Sequence, residues 1–359
     1  MRKSIRDMDK YVPSKTIEEV AKQYGFLPEE VIKLGSNENP LGPSPKAVQA
    51  VKDYADAISS YPSVDAAELR TALAQYIGCP VDRIVTGNGA DGVLDVLTRI
   101  FVEKGDETII SMPTFSYYEL FTRLCDGVPK FVPRDSNFDV DIDALIKSIS
   151  SKTKIVFLCS PNNPTGNQIC EEDLRKVLNA ADAMVVVDEA YAEFADSSAI
   201  GLVGEHKNLV VMRTMSKAFG LAGLRVGYGV VPSWIFKEYM KVLPAFSVNK
   251  LGIVAAIAAL DDREHLRRTI RTVKNGRTFL IENIPFKTYP SQANFVLVDV
   301  SPLSAEEVCE ALLRRGIIVR DWKSFRGAGD SLIRISVGTM EQNKRVVEEL
   351  SSVKKEVQD

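Results

Sequence analysis

Asn208-Leu209-Val210-Val211-Met212 leads into Thr214-Met215-Ser216-Lys217-Ala218-Phe219-Gly220-Leu221-Ala222-Gly223-Leu224-Arg225, and Val226-Gly227-Tyr228-Gly229-Val230-Val231 leaves it. The flanks are short apolar runs, the pattern of strands buried on both faces. Between them two hydroxyls, one lysine and one arginine lie among small residues. A lysine in a tight glycine-rich turn between buried strands is open to desolvation, which lowers its pKa and frees the amine as a nucleophile. Such amines form Schiff bases with aldehydes. Taken alone, Lys217 reads more readily as a solvated surface charge, so its meaning depends on the rest of the chain.

The same pattern extends outward from this stretch. Strands are predicted at 83–86, 107–110, 130–132, 154–158, 184–187, 209–212 and 226–230, with helices over 92–102, 141–150 and 171–180 between them. This alternation predicts an α/β layer with a mostly parallel sheet, in which ligands gather at the carboxyl ends of strands. Ahead of it, residues 1–33 read as an arm. Thr16 there caps a helix over Ile17–Tyr24, and Glu19 stands in the capping-box position. A turn-rich segment follows at 34–45, then helices over 46–54 and 66–77, separated by the loop Ser60-Tyr61-Pro62-Ser63. After Pro232 a long helical stretch, broken near Pro244, runs to about Glu282. Strands at 295–298, 317–320 and 332–337, with a helix over 305–315, complete a smaller α+β lobe. The expected division is an arm (1–33), a large domain (34–240) and a small domain (241–359) that packs with the arm.

A chain of 359 residues exceeds one ordinary core, in keeping with two lobes. Its 45% apolar and 26% charged composition is that of a globular enzyme, and a net charge of −3 gives no reason to expect nucleic acid or an anionic membrane. No apolar run reaches the length of a membrane span, and the N-terminus lacks the apolar core of a secretion signal. Cys79, Cys125, Cys159, Cys170 and Cys309 are odd in number and widely spaced, which argues against a disulfide framework or a zinc site and fits a reducing cytoplasm. His206 and His265 are too few for a histidine-rich metal centre, so no metal is expected.

Five further stretches carry candidate chemistry. Gly87-Asn88-Gly89-Ala90-Asp91 follows a strand and opens a helix, a place where backbone N–H groups receive an anion. It reads equally as a ligand-free turn, and it matches neither a Walker loop nor the dinucleotide fingerprint. Aromatic residues in Phe115-Ser116-Tyr117-Tyr118 suit either a planar ligand or the core. Ser160-Pro161-Asn162-Asn163-Pro164-Thr165-Gly166 is a rigid loop able to fix the amide of Asn163, or a plain turn. Asp188 ends the apolar run Val185-Val186-Val187, where a carboxylate needs a partner: a protonated ring nitrogen, a magnesium ion or a structural cation. Arg334, inside Leu332-Ile333-Arg334-Ile335, needs an anion in turn, and Arg320 ends a neighbouring strand.

Together these residues resemble the fold-type I pyridoxal-phosphate aminotransferases, and within them the histidinol-phosphate aminotransferases, from Tyr11 to about Thr339. The resemblance rests on Ser36-Asn37-Glu38-Asn39-Pro40, Tyr61-Pro62, residues 87–91, residues 160–166, Asp188-Glu189-Ala190-Tyr191, Ser216-Lys217 with Arg225, and Arg334 before Ser336-Val337-Gly338-Thr339. It implies pyridoxal 5′-phosphate as cofactor, with Lys217 as Schiff-base lysine and proton carrier. By the same resemblance Asp188 pairs with the pyridine nitrogen, Asn163 and Tyr191 hold the phenolic oxygen, and Tyr118 stacks on the ring. Ala90 and Asp91 (through their backbone), Ser216 and Arg225 bind the phosphate. Tyr61 reaches that phosphate from the partner subunit, which implies a homodimer with shared active sites. Arg334 takes a substrate carboxylate, and Tyr11, Asn37 and Arg320 line the substrate side. The implied reaction exchanges an amino group between histidinol phosphate and 2-oxoglutarate. Aromatic amino-acid transamination and threonine-phosphate decarboxylation are the alternatives on the same scaffold. Gly92, Ser247 and the loop between Arg320 and Arg334 depart from the family pattern and bear on substrate choice rather than on the cofactor set.

Overall fold

The computed structural model describes residues 3–6, 8, 13–321, 326–327 and 329–356. Its strands are β1 (Ile32–Lys33), β2 (Ile84–Asn88), β3 (Glu107–Met112), β4 (Val128–Pro133), β5 (Thr153–Cys159), β6 (Met184–Asp188), β7 (Leu209–Thr214), β8 (Val226–Val230), β9 (Lys287–Thr288), β10 (Phe295–Asp299), β11 (Ile317–Ile318) and β12 (Leu332–Ser336). Seven of them form the central sheet, in the order β2-β8-β7-β6-β5-β3-β4. The pairs β3–β4, β3–β5, β5–β6 and β6–β7 are parallel. β8 runs antiparallel to both neighbours. The mostly parallel seven-stranded α/β fold is therefore as the alternation predicts.

The continuous apolar runs follow from burial on both faces. Val156, Leu158, Val185 and Val187 enter one hydrophobic cluster. Ile155, Phe157, Met184 and Val186 enter the other. Successive side chains of a strand point to opposite faces, so Asp188 falls on the face of Val186 and Phe157. The carboxyl ends of β5, β6 and β7 lie side by side, with Cys159 opposite Asp188 and Asp188 opposite Met212.

The helix after β2 starts at Gly89 rather than at 92, so Ala90 and Asp91 belong to its first turn. Gly89 takes φ +75°, and a Cβ there would sit 2.6 Å from Arg225 Nη2. Gly227 lies closer still: its Cβ would stand 2.1 Å from Ala90 N and 2.2 Å from Gly89 C. Only a glycine lets β8 touch this helix terminus.

Beyond the central sheet, β12-β10-β9 form an antiparallel sheet. β1 pairs in parallel with β11, Ile32 opposite Ile317, so the N-terminal segment is tied to late residues. Leu34 continues this tie, donating to Ile318 O at 2.7 Å and accepting from Ser336 N at 2.8 Å. The capping box on the helix Ile17–Tyr24 is present, with Thr16 N 2.7 Å from Glu19 Oε2. The long helical stretch after Pro232 is three helices: Ser233–Val242, Lys250–Asp261 and Arg263–Asn283. The second break comes from Asp262, whose carboxylate accepts from His265 N at 3.2 Å and Ser44 Oγ at 2.6 Å. The strand expected at 317–320 is regular only at Ile317–Ile318, and Arg320 joins Arg334 by an isolated antiparallel bridge.

Gly227→Ala should lower stability by about 1–3 kcal/mol or more, because backbone atoms rather than flexible side chains block the new methyl. Gly223→Ala, with nothing within 4 Å of its Cβ, should stay near wild type. Denaturant melts of the two variants measure this contrast.

Candidate active site

At the carboxyl ends of β5, β6 and β7 lies a cavity of about 460 Å³. It draws its wall from Ser36, Asn37, Ala90, Asp91, Asn163, Asp188, Tyr191, Ser216, Lys217, Arg225, Arg320 and Arg334. One cavity thus unites eleven of the residues singled out in the sequence, with Ser36 beside them. Tyr61 does not line it: its ring is 78% exposed and stacks on Phe246, centroids 4.6 Å apart. Tyr11 lies outside the described residues.

The lysine turn is held from both sides. Met215 N donates to Val226 O at 3.0 Å and Leu221 N to Met215 O at 3.0 Å, closing the chain on itself. The turn-rich segment packs against it, with Asn39 Nδ2 donating to Ala218 O at 2.9 Å. Lys217 Nζ donates to Ser36 O at 3.1 Å. Burial pulls its pKa down from 10.5 to about 8; Arg334 and Arg225 add to this, and Glu38 and Asp91 oppose it. The lysine is thereby moved towards the neutral amine that attacks a carbonyl.

Asp188 is 6% exposed. Burial raises its carboxyl to about 6, against hydrogen bonds from Tyr118 Oη (2.7 Å to Oδ2) and Ala190 N (3.0 Å to Oδ1). A cation placed against this carboxylate would reverse the shift.

Tyr118 needs a correction. Instead of facing the cavity to stack on a ring, it is 1% exposed, its hydroxyl is bound to Asp188, and its ring lies on Phe157 at 5.0 Å and 9°. The helix Tyr117–Leu124 has begun by this point and turns the side chain down onto the sheet. Phe115, in the loop before that helix, lines the cavity in its place and meets Tyr118 edge-on at 5.7 Å. Position relative to the helix start was the signal for Phe115: the aromatic nearest the strand end reaches the cleft.

On the opposite wall the first turn of the helix Gly89–Phe101 meets the lysine turn. Arg225 Nη2 pairs with Asp91 Oδ2 at 2.8 Å. Thr214 Oγ1 lies 2.9 Å from Ser216 Oγ and accepts from Ser216 N at 3.1 Å. Thr214 also lines the cavity, a hydroxyl within the opening stretch that was not singled out. Helix N–H groups, two hydroxyls and a guanidinium converge here, which is the donor set a phosphate takes. Arg225 sits at φ +52°, and its carbonyl accepts from Gly89 N at 2.8 Å.

Arg334 reaches the third wall. It donates from Nη1 to Asn163 Oδ1 and from Nη2 to Gly35 O, the latter at 2.7 Å. Asn163 is thereby oriented with Nδ2 as its remaining donor end. Asn37 Nδ2 donates to Tyr191 Oη at 3.0 Å. Arg320 Nη1 donates to Ser14 Oγ at 3.1 Å, bringing the arm to the cavity, where Lys15 and Lys33 add two cations that the sequence reading did not select. Among the described residues no cluster of three or more His, Cys, Asp or Glu side chains is placed to hold a metal, and no helix is long and apolar enough to cross a membrane.

A nucleophilic lysine, a buried acid facing it across one cavity, an aromatic wall and an anion cradle define the site of a pyridoxal-phosphate enzyme. Comparison with known proteins agrees. The family "Aminotransferase class I and II" matches residues 29–350. The histidinol-phosphate aminotransferase of Methanosarcina barkeri is 56% identical over 358 residues, 99% of this chain and 98% of that protein. That of Methanosarcina mazei is 55% identical, over 99% of this chain and 97% of that protein. The crystal structure of histidinol-phosphate aminotransferase from Sinorhizobium meliloti in complex with pyridoxal-5′-phosphate superposes with a TM-score of 0.89 at 26% identity, covering 99% of this chain and 98% of that one. The chain belongs to the class I and II aminotransferases and, within them, to the histidinol-phosphate aminotransferase family. It is a pyridoxal-phosphate-dependent aminotransferase.

The lowered pKa of Lys217 has a measurable consequence. Reaction of the cofactor-free chain with pyridoxal phosphate should rise with pH around a midpoint near 8, as the amine loses its proton. A lysine at the ordinary 10.5 would leave the rise to much higher pH. Growth of the visible absorbance band across pH checks this, with Lys217→Arg as the blank.

Proposed function

We propose that the chain transfers the amino group of L-histidinol phosphate to 2-oxoglutarate, giving imidazole acetol phosphate and glutamate, as a cytoplasmic step of histidine biosynthesis. The observation that carries this reading is that one cavity is lined by two separate sets of cationic groups. Arg225, paired with Asp91, joins Ala90 and Ser216 in one set, and Lys15, Lys33, Arg320 and Arg334 make up the other. A substrate with an anionic end distant from its amine suits the second set.

Pyridoxal phosphate, when bound, supplies the electron sink for the pair left at the substrate Cα. The residues fit it. Backbone N–H groups of Ala90 and Asp91, with Ser216 and Arg225, take its phosphate. Asp188 stays ionised beside a protonated ring nitrogen, and Phe115 walls the ring. Asn163 and Tyr191 donate to the phenolic oxygen. Lys217 Nζ takes the substrate Cα proton and returns it, as an amine with a pKa near 8 can do in both directions close to neutral pH. Arg334 receives the α-carboxylate of glutamate.

The active unit we propose is a homodimer with shared sites. Tyr61 (78% exposed), Ile58 (69%), Val64 (58%) and Tyr54 (49%) leave a run of apolar side chains uncovered, the mark of a surface that meets a partner. Tyr61 then reaches the neighbouring cradle. We also take residues 1–33 as an arm, 34–240 as the large domain and 241–359 as the small one. The helix Ser233–Val242 crosses the second boundary and is anchored to the central sheet by Tyr239 Oη, which donates to Thr86 O at 3.0 Å.

Single-turnover spectra with each candidate amine test the substrate. Histidinol phosphate should convert the bound cofactor to its amine form at least tenfold faster than phenylalanine at equal concentration. Faster conversion by phenylalanine, or CO₂ release from O-phosphothreonine, would replace the reading with one of the two alternatives. For the shared site, Lys217→Ala and Tyr61→Ala protomers should each be impaired alone. Mixed after co-expression, they should regain activity through the one site that holds both native residues. No recovery in purified mixed dimers would rule out a contribution from the partner.

A further inference from the structure

Asn37 has every polar group engaged. Its N–H donates to Ser336 Oγ at 2.9 Å, and its carbonyl accepts from Asn294 Nδ2 at 3.1 Å. Its Oδ1 accepts from Ser336 Oγ at 2.8 Å, and its Nδ2 donates to Tyr191 Oη at 3.0 Å. Asn37 is 1% exposed and Ser336 3%. The residue also sits at φ +54°, a conformation that glycine adopts with less strain, so the side-chain bonds are a reason for asparagine here beyond the backbone.

The directions of these bonds follow from chemistry. A backbone N–H only donates, so Ser336 Oγ must accept from Asn37 N. The serine proton then needs an acceptor, and Asn37 Oδ1 supplies it. That choice places Nδ2, a donor only, against Tyr191 Oη. With the amide turned over, Nδ2 would face Ser336, and the buried serine proton would lose its acceptor at a cost of about 1–3 kcal/mol. Tyr191 lines the cavity and is 4% exposed. Burial pushes its pKa well up, so it keeps its proton. Because its oxygen receives the Asn37 bond, that single proton is left for the cavity.

We propose that Ser336 and Asn37 form a relay that fixes Tyr191 as a hydrogen-bond donor towards the cofactor's phenolic oxygen, with Asn37 a positioning residue rather than a substrate ligand. The relay rests on the pyridoxal-phosphate reading above. It parallels Arg334, which orients Asn163 through Oδ1; both come from β12, so this one strand sets the direction of both donors.

The test is a pH titration of the visible absorbance of the bound cofactor in the holoenzyme. A donor on the phenolic oxygen stabilises its anionic form and lowers the titration midpoint. Asn37→Asp keeps the size of the side chain but turns a donor into an acceptor, which draws the Tyr191 proton away from the cavity. Ser336→Ala removes the group that orients the amide without adding charge. Each should raise the midpoint by about one pH unit, the equivalent of one lost hydrogen bond to a charged group. Tyr191→Phe should raise it at least as far, and the Asn37→Asp/Tyr191→Phe double variant should show little shift beyond Tyr191→Phe alone. An unchanged midpoint in folded Asn37→Asp, or a shift of full size in the Tyr191→Phe background, would overturn the relay. If Ser336→Ala does not fold, the isosteric Asn37→Asp and its double variant decide. A wild-type chain with no Lys217-dependent visible band would remove the cofactor reading itself, a result distinct from an unmoved midpoint.

Discussion

The cleft depends on how closely β8 approaches the first turn of the helix Gly89–Phe101. Gly227 has no room for a methyl against Ala90 N, and Gly89 N donates to Arg225 O at 2.8 Å. This contact brings the lysine turn, the end of β7 and the helix N-terminus to one wall. With it, Arg225 reaches Asp91 and the hydroxyls of Thr214 and Ser216 stand beside the helix N–H groups. A larger residue at 227 would part the strand from the helix and spread the cradle. The reversal of β8 relative to β7 matters for the same reason, because it sets the start of β8, and with it Arg225, at the end of the sheet where the parallel strands finish.

Around that contact, desolvation acts on two groups of opposite charge. It lowers Lys217 to about 8 and raises Asp188 to about 6, moving both towards neutrality. Each is also tethered by a group from elsewhere in the chain: Lys217 by Ser36 O, Asp188 by Tyr118 Oη. In the proposed arrangement a bound ring with a protonated nitrogen and a phosphate would give further partners to the acid and to Arg225. The amide of Asn163 and the hydroxyl of Tyr191 are oriented from behind, by Arg334 and Asn37, so their order does not wait for a ligand. Such preorganisation is what makes electrostatic stabilisation effective in a dry site.

Much of the fold is legible in the sequence where its cause is local. The Thr16–Glu19 capping box needs only three residues of spacing, and it is present. The inner strands β5, β6 and β7 are legible because both faces are buried and the apolar runs 155–158, 184–187 and 209–212 have no polar interruption. Legibility fails where distant residues decide. Asp262 breaks a helical pattern by capping the next helix and holding Ser44, more than two hundred positions away in sequence. The helix after β2 begins at Gly89 because Arg225 O receives the Gly89 N–H, and composition alone suggested a later start. Tyr118 and Phe115 are both aromatic residues after a strand; which one faces the cleft depends on where the helix at Tyr117 begins and on what Asp188 requires.

By itself the sequence determined the set of chemical groups: one lysine in a glycine-rich turn, one acid at the end of an apolar strand, an amide loop, a glycine-rich strand-to-helix turn and two arginines near the end of the chain. Those groups are readable because each is unusual in its local setting, and a buried charge or a strained turn needs a reason. Tertiary structure alone decided their directions. A hydrogen bond specifies donor and acceptor only when both partners are placed, and the partners of Asp188, Asn163 and Tyr191 come from Tyr118, Arg334 and Asn37, residues 70, 171 and 154 positions away. Burial, which sets the protonation of Lys217 and Asp188, likewise exists only once the sheet, the arm and β12 have closed around them.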